Sequence, residues 1–262
     1  MQPDTIGVFD SGVGGLSVLR EIRALLPTEG LIYVADSAHI PYGEKSRHYI
    51  ESRARVIAAF MIGRGAKALV VACNTATAAA VASLRSTFSV PIVGMEPGVK
   101  PAAQLTQSGV IGVLATPGTL ASQKFAALLQ RHAGEAQVVV QACPGLVEQI
   151  ERGDIDGQHT RALVQRYVEP LLERGADTLV LGCTHYPFVA KLIRDAAGPT
   201  VKLVETGAAV ARELKRRLAA GQLLTTQQSP GGEEFWTSGD PRTVAPVIAT
   251  LWVRAVTVSR MP

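Results

Sequence analysis

The chain has 262 residues, 47% of them hydrophobic and 18% charged, with a formal net charge of +4. That length and composition exclude a mainly disordered chain and leave room for one large domain or two compact ones, each with its own core. Lys and Arg are spread along the chain apart from Lys215-Arg216-Arg217, and 5% of residues are aromatic, so no nucleic-acid partner is expected.

Met1-Gln2-Pro3-Asp4 lacks the basic and apolar regions of a signal peptide, and a strand-like run begins at Thr5, so a cytoplasmic protein is expected. Apolar runs rich in Val, Ile and Leu predict strands over 5–9, 31–35, 68–72 and 91–93, separated by helices. The stretch 68–84 is short for a membrane span and carries Asn74 and several threonines; a buried strand and helix explain it better, and no membrane partner is expected. The pattern then restarts, with strands over 109–114, 136–141, 178–182 and 201–204 and helices over 119–132, 160–174 and 186–196. A helix over 208–220, a strand over 234–237 and a helix over 241–254 are expected to return to the first domain. The expected fold class is α/β: two pseudo-symmetric domains, each a mainly parallel sheet flanked by helices, with the active site in the cleft between them. The first domain takes residues 1–97 and 207–262, and the second takes 98–206.

The two halves echo each other in sequence. Arg64-Gly-Ala-Lys-Ala-Leu-Val-Val-Ala-Cys73-Asn-Thr75 overlays Arg174-Gly-Ala-Asp-Thr-Leu-Val-Leu-Gly-Cys183-Thr-His185 at an offset of 110 residues, identical at Arg, Gly, Ala, Leu, Val and Cys. A weaker echo pairs Gly7-Val-Phe-Asp-Ser11-Gly with Gly112-Val-Leu-Ala-Thr116-Pro. Such offsets are those of a repeated domain rather than of a solenoid.

In open α/β sheets ligands bind beyond the carboxyl ends of the strands. The distinctive polar groups fall there: Asp10-Ser11, Asp36-Ser37, Cys73-Asn74-Thr75, Glu96, Thr116 and Cys183-Thr184-His185. A lone cysteine after a strand is by default a small buried hydrophobe. Two at equivalent strand ends, each followed by a polar pair and a predicted helix start, are poorly explained by packing. A helix N-terminus lowers a thiol's pKa, so thiolate is expected at neutral pH. Two thiols across a cleft suit a reaction in which one removes a proton from a carbon and the other delivers one to the opposite face, which is racemisation. Cys143, followed by Pro144 and without a repeat partner, reads as packing.

His185, beside Cys183, reads as a tuning or proton-relay group. The turn Gly12-Val-Gly14-Gly15-Leu-Ser17 is a poor dinucleotide motif, because Ser17 replaces the third glycine and Asp10 brings a carboxylate to the phosphate end. It reads better as a helix start whose N–H groups, with the Ser11 hydroxyl, bind a substrate carboxylate. Pro41-Tyr42-Gly43 is equally an ordinary turn or a ligand-binding loop. Three distant cysteines, no CxxC or HExxH and no histidines at ligand spacing argue against disulfides and against a metal. Glu148, on residues alone, is a solvated carboxylate.

Asp10-Ser-Gly-Val-Gly-Gly-Leu-Ser17, Pro41-Tyr-Gly43, Ala72-Cys-Asn-Thr75, Gly182-Cys-Thr-His-Tyr-Pro187 and Thr237-Ser-Gly-Asp240 follow one another across almost the whole chain. Together they resemble bacterial glutamate racemase. The resemblance implies two α/β domains around one active site, no cofactor, L- and D-glutamate as the small-molecule partners, and D-glutamate supplied for peptidoglycan synthesis. It makes Cys73 and Cys183 the proton-transfer pair, Cys73 acting on D-glutamate and Cys183 on L-glutamate. Asp10 and His185 assist on their respective sides, and Glu148 is a further helper near His185. Substrate contacts are implied for Asp10, Ser11, Tyr42, Gly43, Asn74, Thr75, Thr184 and His185, with Asp36, Ser37, Thr116 and Thr119 at matching cleft positions. Glu205-Thr206 stands where the family more often has Asp-Ser, and His39-Ile40 fills a variable stretch of the cleft wall. The N-terminal extension that in some members binds a cell-wall precursor as activator is not seen, so control by that precursor is not expected. A homodimer is left open. So are an aspartate racemase of the same superfamily, a thiol hydrolase or transferase with His185 as base, and a binding module; the Asp-Ser-Gly-Val-Gly-Gly run favours glutamate.

Overall fold

The computed structural model describes residues 5–262; residues 1–4, on which part of the signal-peptide reading rests, lie outside the described residues. The chain opens β1 (Thr5–Asp10), α1 (Leu16–Leu25), β2 (Gly30–Ala35), α2 (Arg47–Gly63), β3 (Ala66–Val71), α3 (Asn74–Thr87) and β4 (Ile92–Val93). It continues α4 (Val99–Leu105), β5 (Val110–Ala115), α5 (Pro117–Leu120), α6 (Gln123–His132), β6 (Gln137–Ala142), α7 (Leu146–Glu151), α8 (Gln158–Glu173), β7 (Thr178–Leu181), α9 (Ala190–Ala197) and β8 (Lys202–Val204). It ends α10 (Gly207–Ala220), β9 (Glu233–Thr237), α11 (Pro241–Trp252) and β10 (Val258–Arg260).

Among the described residues two sheets form, in the orders β10-β9-β2-β1-β3-β4 and β6-β5-β7-β8, with every pair parallel. The run β2-β1-β3-β4 recurs as β6-β5-β7-β8, so the sequence echo corresponds to a repeated strand order. Gly7 and Gly112 show why the echo includes glycine. A Cβ at Gly7 would lie 2.8 Å from Met61 of α2 and from Leu69, and one at Gly112 would lie 2.6 Å from Leu179 and 2.9 Å from Leu171 of α8. Each glycine lets a helix side chain seat on its domain's central strand.

The strands β1, β2, β3 and β7 are buried along nearly their whole length, as parallel strands covered on both faces must be. Alternate residues serve opposite faces. Ile6, Val8, Leu31 and Tyr33 pack with Leu16, Leu19 and Ile22 of α1 and Leu214 of α10, whereas Phe9, Ile32 and Val34 pack with Ile50, Ile57 and Met61 of α2 and Ala80 of α3. Each Val, Leu, Ile, Phe or Met side chain among them contributes roughly 1.5–3 kcal/mol on burial, and together they fix the strand ends in place.

Three elements differ from the sequence expectation. The helix expected over 119–132 is two, because Thr116 and Ser122 each act as a cap, accepting the N–H of Thr119 and of Phe125 respectively, and so start separate helices. The segment expected as a helix over 186–196 begins as a 3-10 turn, Tyr186–Val189, with Pro187 in its first turn, before α9. The edge strand β10 was not expected; its three residues are half-buried or exposed and carry no alternating apolar pattern. No helix among the described residues is long and apolar enough to cross a membrane.

Candidate active site

In both sheets the chain steps from the central strand first to one side and then to the other, so a crevice opens beyond β1 and β3 and another beyond β5 and β7. Asp10 and Ser11 leave β1, Cys73 leaves β3, Thr116 leaves β5 and Cys183 follows β7. The two crevices meet. A small cavity is lined by Ser11, Pro41, Tyr42, Gly43, Cys73, Asn74 and Thr75 on one side and by Thr116, Thr119, Val147, Gly182, Cys183, Thr184 and His185 on the other.

Cys73 is the N-cap of α3: its Sγ accepts the Ala76 N–H at 3.4 Å and donates to Ser11 Oγ at 4.0 Å. Burial nevertheless pushes this thiol well above its ordinary range, and the neighbouring Asp10 carboxylate pushes it further. The expectation that the helix N-terminus leaves a ready thiolate here is corrected: desolvation by burial outweighs the one N–H from Ala76. Asp10 is itself fully buried, and burial raises its carboxyl while the charge of His185 opposes the rise. It accepts the Ser11 and Gly15 N–H groups, each at 2.7 Å, and the Thr184 hydroxyl at 3.2 Å from across the cleft.

Cys183 has a different neighbourhood. Its Sγ lies 3.6 Å from His185 Nδ1, and His185 Nε2 lies 2.6 Å from Glu151 Oε1. Burial alone would lower the imidazole pKa, but its hydrogen bonds to Cys183 and Glu151 win and raise it well above the usual histidine value. The carboxylate at His185 is therefore Glu151, not Glu148. Glu148 sits one turn earlier on α7, and no hydrogen bond from its side chain to His185 is present among the described residues. The two lie three residues apart on one helix face, so sequence alone does not choose between them; it is Glu151, the last residue of α7, that reaches His185.

Part of the glycine-rich turn is taken up by the protein's own carboxylates. The N–H groups of Ser11, Val13 and Gly15 are taken by Asp10 and Glu151, so they are not available to a substrate carboxylate. The glycines serve close approach instead: a Cβ at Gly12 would fall 2.0 Å from Glu151 Oε1, and one at Gly14 would fall 2.3 Å from His185 Nδ1. Ser17, to which the sequence assigned no contact of its own, donates to the Thr184 carbonyl at 2.8 Å.

Among the substrate-contact candidates, Asn74 stands apart. It is 4% exposed, and among the described residues neither its Oδ1 nor its Nδ2 has a hydrogen-bond partner. A buried amide left unpaired costs about 1–3 kcal/mol, and in a cavity that cost marks a place for a polar ligand. Thr75 Oγ1 bridges the domains at 3.1 Å to both Thr116 and Thr119. Asp36 and Ser37 do not line the cavity. Asp36 instead accepts the Tyr42 hydroxyl and two Arg53 N–H groups, because it is fully buried and needs a counter-charge. Cys143 is buried outside the cavity, its thiol pushed up to about 12 by burial. Glu205 and Thr206 line a second cavity that also touches Cys183 and Thr184. No cluster of three or more His, Cys, Asp or Glu among the described residues is arranged to hold a metal ion.

The Asp/Glu/Hydantoin racemase family profile matches residues 6–214. A glutamate racemase from Methylococcus capsulatus is 61% identical over 98% of this chain and 95% of its own length. A glutamate racemase isoform from Bacillus anthracis superposes with a TM-score of 0.90 at 33% identity, covering 100% of this chain and 98% of that one. The Escherichia coli glutamate racemase, solved with L-glutamate and the activator UDP-MurNAc-Ala, superposes at 0.87 with 34% identity, covering 99% and 98%. By sequence over nearly its full length and by the shape of both domains, this chain belongs to the Asp/Glu/hydantoin racemase family.

Proposed function

We propose that this protein interconverts L- and D-glutamate by two-base proton transfer between Cys73 and Cys183, without a cofactor. The observation that carries this reading is the pair of thiols at equivalent strand ends of the two domains, both lining one small cavity that also holds the unpaired Asn74 amide. A single fixed base returns a proton to the face it left; two bases on opposite faces invert the centre.

The neighbours of the two thiols divide the work. His185, its pKa raised by its hydrogen bonds to Cys183 and Glu151, stands 3.6 Å from Cys183 Sγ and is placed to share a proton with that sulfur, whereas burial beside Asp10 keeps the proton on Cys73. That resting state suits L-glutamate. Cys183 removes the α-proton, the electron pair stays on the α-carbon, and Cys73 Sγ–H delivers its proton to the opposite face. Cys183 then holds the proton and Cys73 the charge, which is the state that acts on D-glutamate. Asp10, whose carboxyl burial has raised, stands beside Cys73 as the group through which the proton returns.

Ser11, Asn74, Thr75 and Thr184 supply hydroxyl and amide groups for the substrate, and Tyr42 and Gly43 complete the first domain's wall of the cavity. The product, D-glutamate, would serve peptidoglycan synthesis. Purified protein incubated without cofactor with L-glutamate, L-aspartate or L-alanine should abolish optical rotation only with glutamate. Loss of rotation with aspartate alone would replace the substrate.

A further inference from the structure

Tyr42 and Gly43 form part of the cavity wall, yet what holds that wall lies outside the cavity. The Tyr42 hydroxyl donates to Asp36 Oδ2 at 2.5 Å. Arg53 of α2 grips the same carboxylate with two bonds, Nε to Oδ2 at 3.1 Å and Nη2 to Oδ1 at 2.7 Å. The Asp36 side chain is 0% exposed and that of Arg53 is 18% exposed, so this is a buried, forked ion pair with defined geometry. On its other side the same loop meets the second domain. A Cβ on Gly118 would fall 2.6 Å from the Gly43 carbonyl oxygen, and one on Gly43 would fall 3.3 Å from Thr116 Cβ.

We propose that Arg53 is a positioning residue: through buried Asp36 it fixes Tyr42, and so sets the Tyr42–Gly43 wall against which the substrate is held and the second domain closes. The inference rests on the reading that this cavity binds glutamate. Arg53 lines no part of that cavity, so its effect on substrate passes through the loop alone. A wall displaced at its anchor weakens substrate binding and leaves the two thiols in place.

The test measures backbone amide exchange over 37–45 in the substrate-free protein, together with kcat and KM for L-glutamate, in Arg53→Met, Arg53→Lys and the double variant Asp36→Asn/Arg53→Met. The double variant leaves no uncompensated buried charge and keeps an acceptor for Tyr42, so it decides the matter where Arg53→Met alone fails to fold. Loss of the anchor should speed exchange over 37–45 and raise KM roughly tenfold with kcat within about threefold; Arg53→Lys should recover part of both. Unchanged exchange over 37–45 would show that Arg53 does not hold the loop. Faster exchange with unchanged KM, or a general loss of stability with unchanged KM, would show that the loop does not position the substrate. Wild-type protein inert toward glutamate would overturn the assigned reaction instead, while the exchange measurement still decides whether Arg53 anchors the loop.

Discussion

Glu151 Oε1 stands 2.6 Å from His185 Nε2, which turns the other ring nitrogen, Nδ1, toward Cys183 Sγ. The same oxygen accepts the Val13 N–H at 2.6 Å, so one carboxylate both orients the imidazole and ties the second domain to the glycine-rich turn of the first. Glu151→Gln should lower kcat/KM by about 10²-fold, while Glu148→Gln stays within about twofold of wild type. The two enantiomers are equally stable, so kcat/KM must fall equally in both directions. Steady-state racemisation assays from each enantiomer check both points, and a larger loss in the Glu148 variant would reverse the assignment.

His185 also links the site to stability. Its folded-state pKa is raised well above its value of about 6.5 in the unfolded chain, so the stability it gains from Glu151 and Cys183 is fully present below about pH 6.5 and is lost as pH rises through the folded value. The difference in unfolding free energy between wild type and Glu151→Gln should therefore be largest near pH 6 and shrink in alkaline buffer. A difference that grows with pH would mean that His185 is neutral in the folded protein.

The three cysteines should separate by reactivity. Cys73 is held protonated by burial and by Asp10, and Cys143 is pushed up to about 12 by burial, whereas Cys183 alone faces a cationic imidazole. Iodoacetamide at neutral pH, followed by peptide mass spectrometry, should label Cys183 first. Faster labelling of Cys73 would contradict the assigned resting state.

Gly14 should tolerate no side chain. A Cβ there would reach 2.3 Å from His185 Nδ1, whereas one at Gly63 meets nothing within 4 Å. Gly14→Ala should cut racemisation by about 10²-fold or more by displacing the imidazole, and Gly63→Ala should be active and more stable by up to about 1 kcal/mol. Turnover and thermal unfolding of the two variants distinguish a local clash from a general effect of adding a methyl group.

Asn74→Ala removes an amide that has no hydrogen-bond partner among the described residues. It should leave the melting temperature unchanged or higher while raising KM for glutamate, a combination that marks a group kept for its ligand. A lowered melting temperature with unchanged KM would assign Asn74 to the fold instead.

The two-domain α/β layout was legible because parallel strands must be apolar along both faces, and because Cys73 and Cys183 end sequence segments that fold alike. The cleft residues at strand ends were legible for the same reason: Ser11, Cys73, Asn74, Thr116 and Cys183 all come to one cavity. What stayed hidden depended on contacts between distant segments. Nothing local in Cys73-Asn-Thr75 reports that the thiol will be buried beside Asp10, which lies more than sixty residues earlier in the chain. Choosing Glu151 over Glu148 required knowing which turn of α7 lies level with His185, and moving Asp36 from the cleft to an anchoring role required knowing that Arg53 lies behind it. The break between α5 and α6 was written in Thr116 and Ser122, but caps within an apolar-periodic run are easily read as part of one helix.

The central claim, one thiol for each face of the substrate, is tested most directly by exchange of the α-proton in deuterated water with single-thiol variants. Cys73→Ala keeps Cys183 and should exchange the α-proton of L-glutamate but not of D-glutamate, and Cys183→Ala should do the reverse, with net racemisation nearly abolished in both. Wild-type protein should place deuterium in the product enantiomer before it appears in recovered substrate. Exchange of both enantiomers at similar rates by either single-thiol variant would contradict the two-base account.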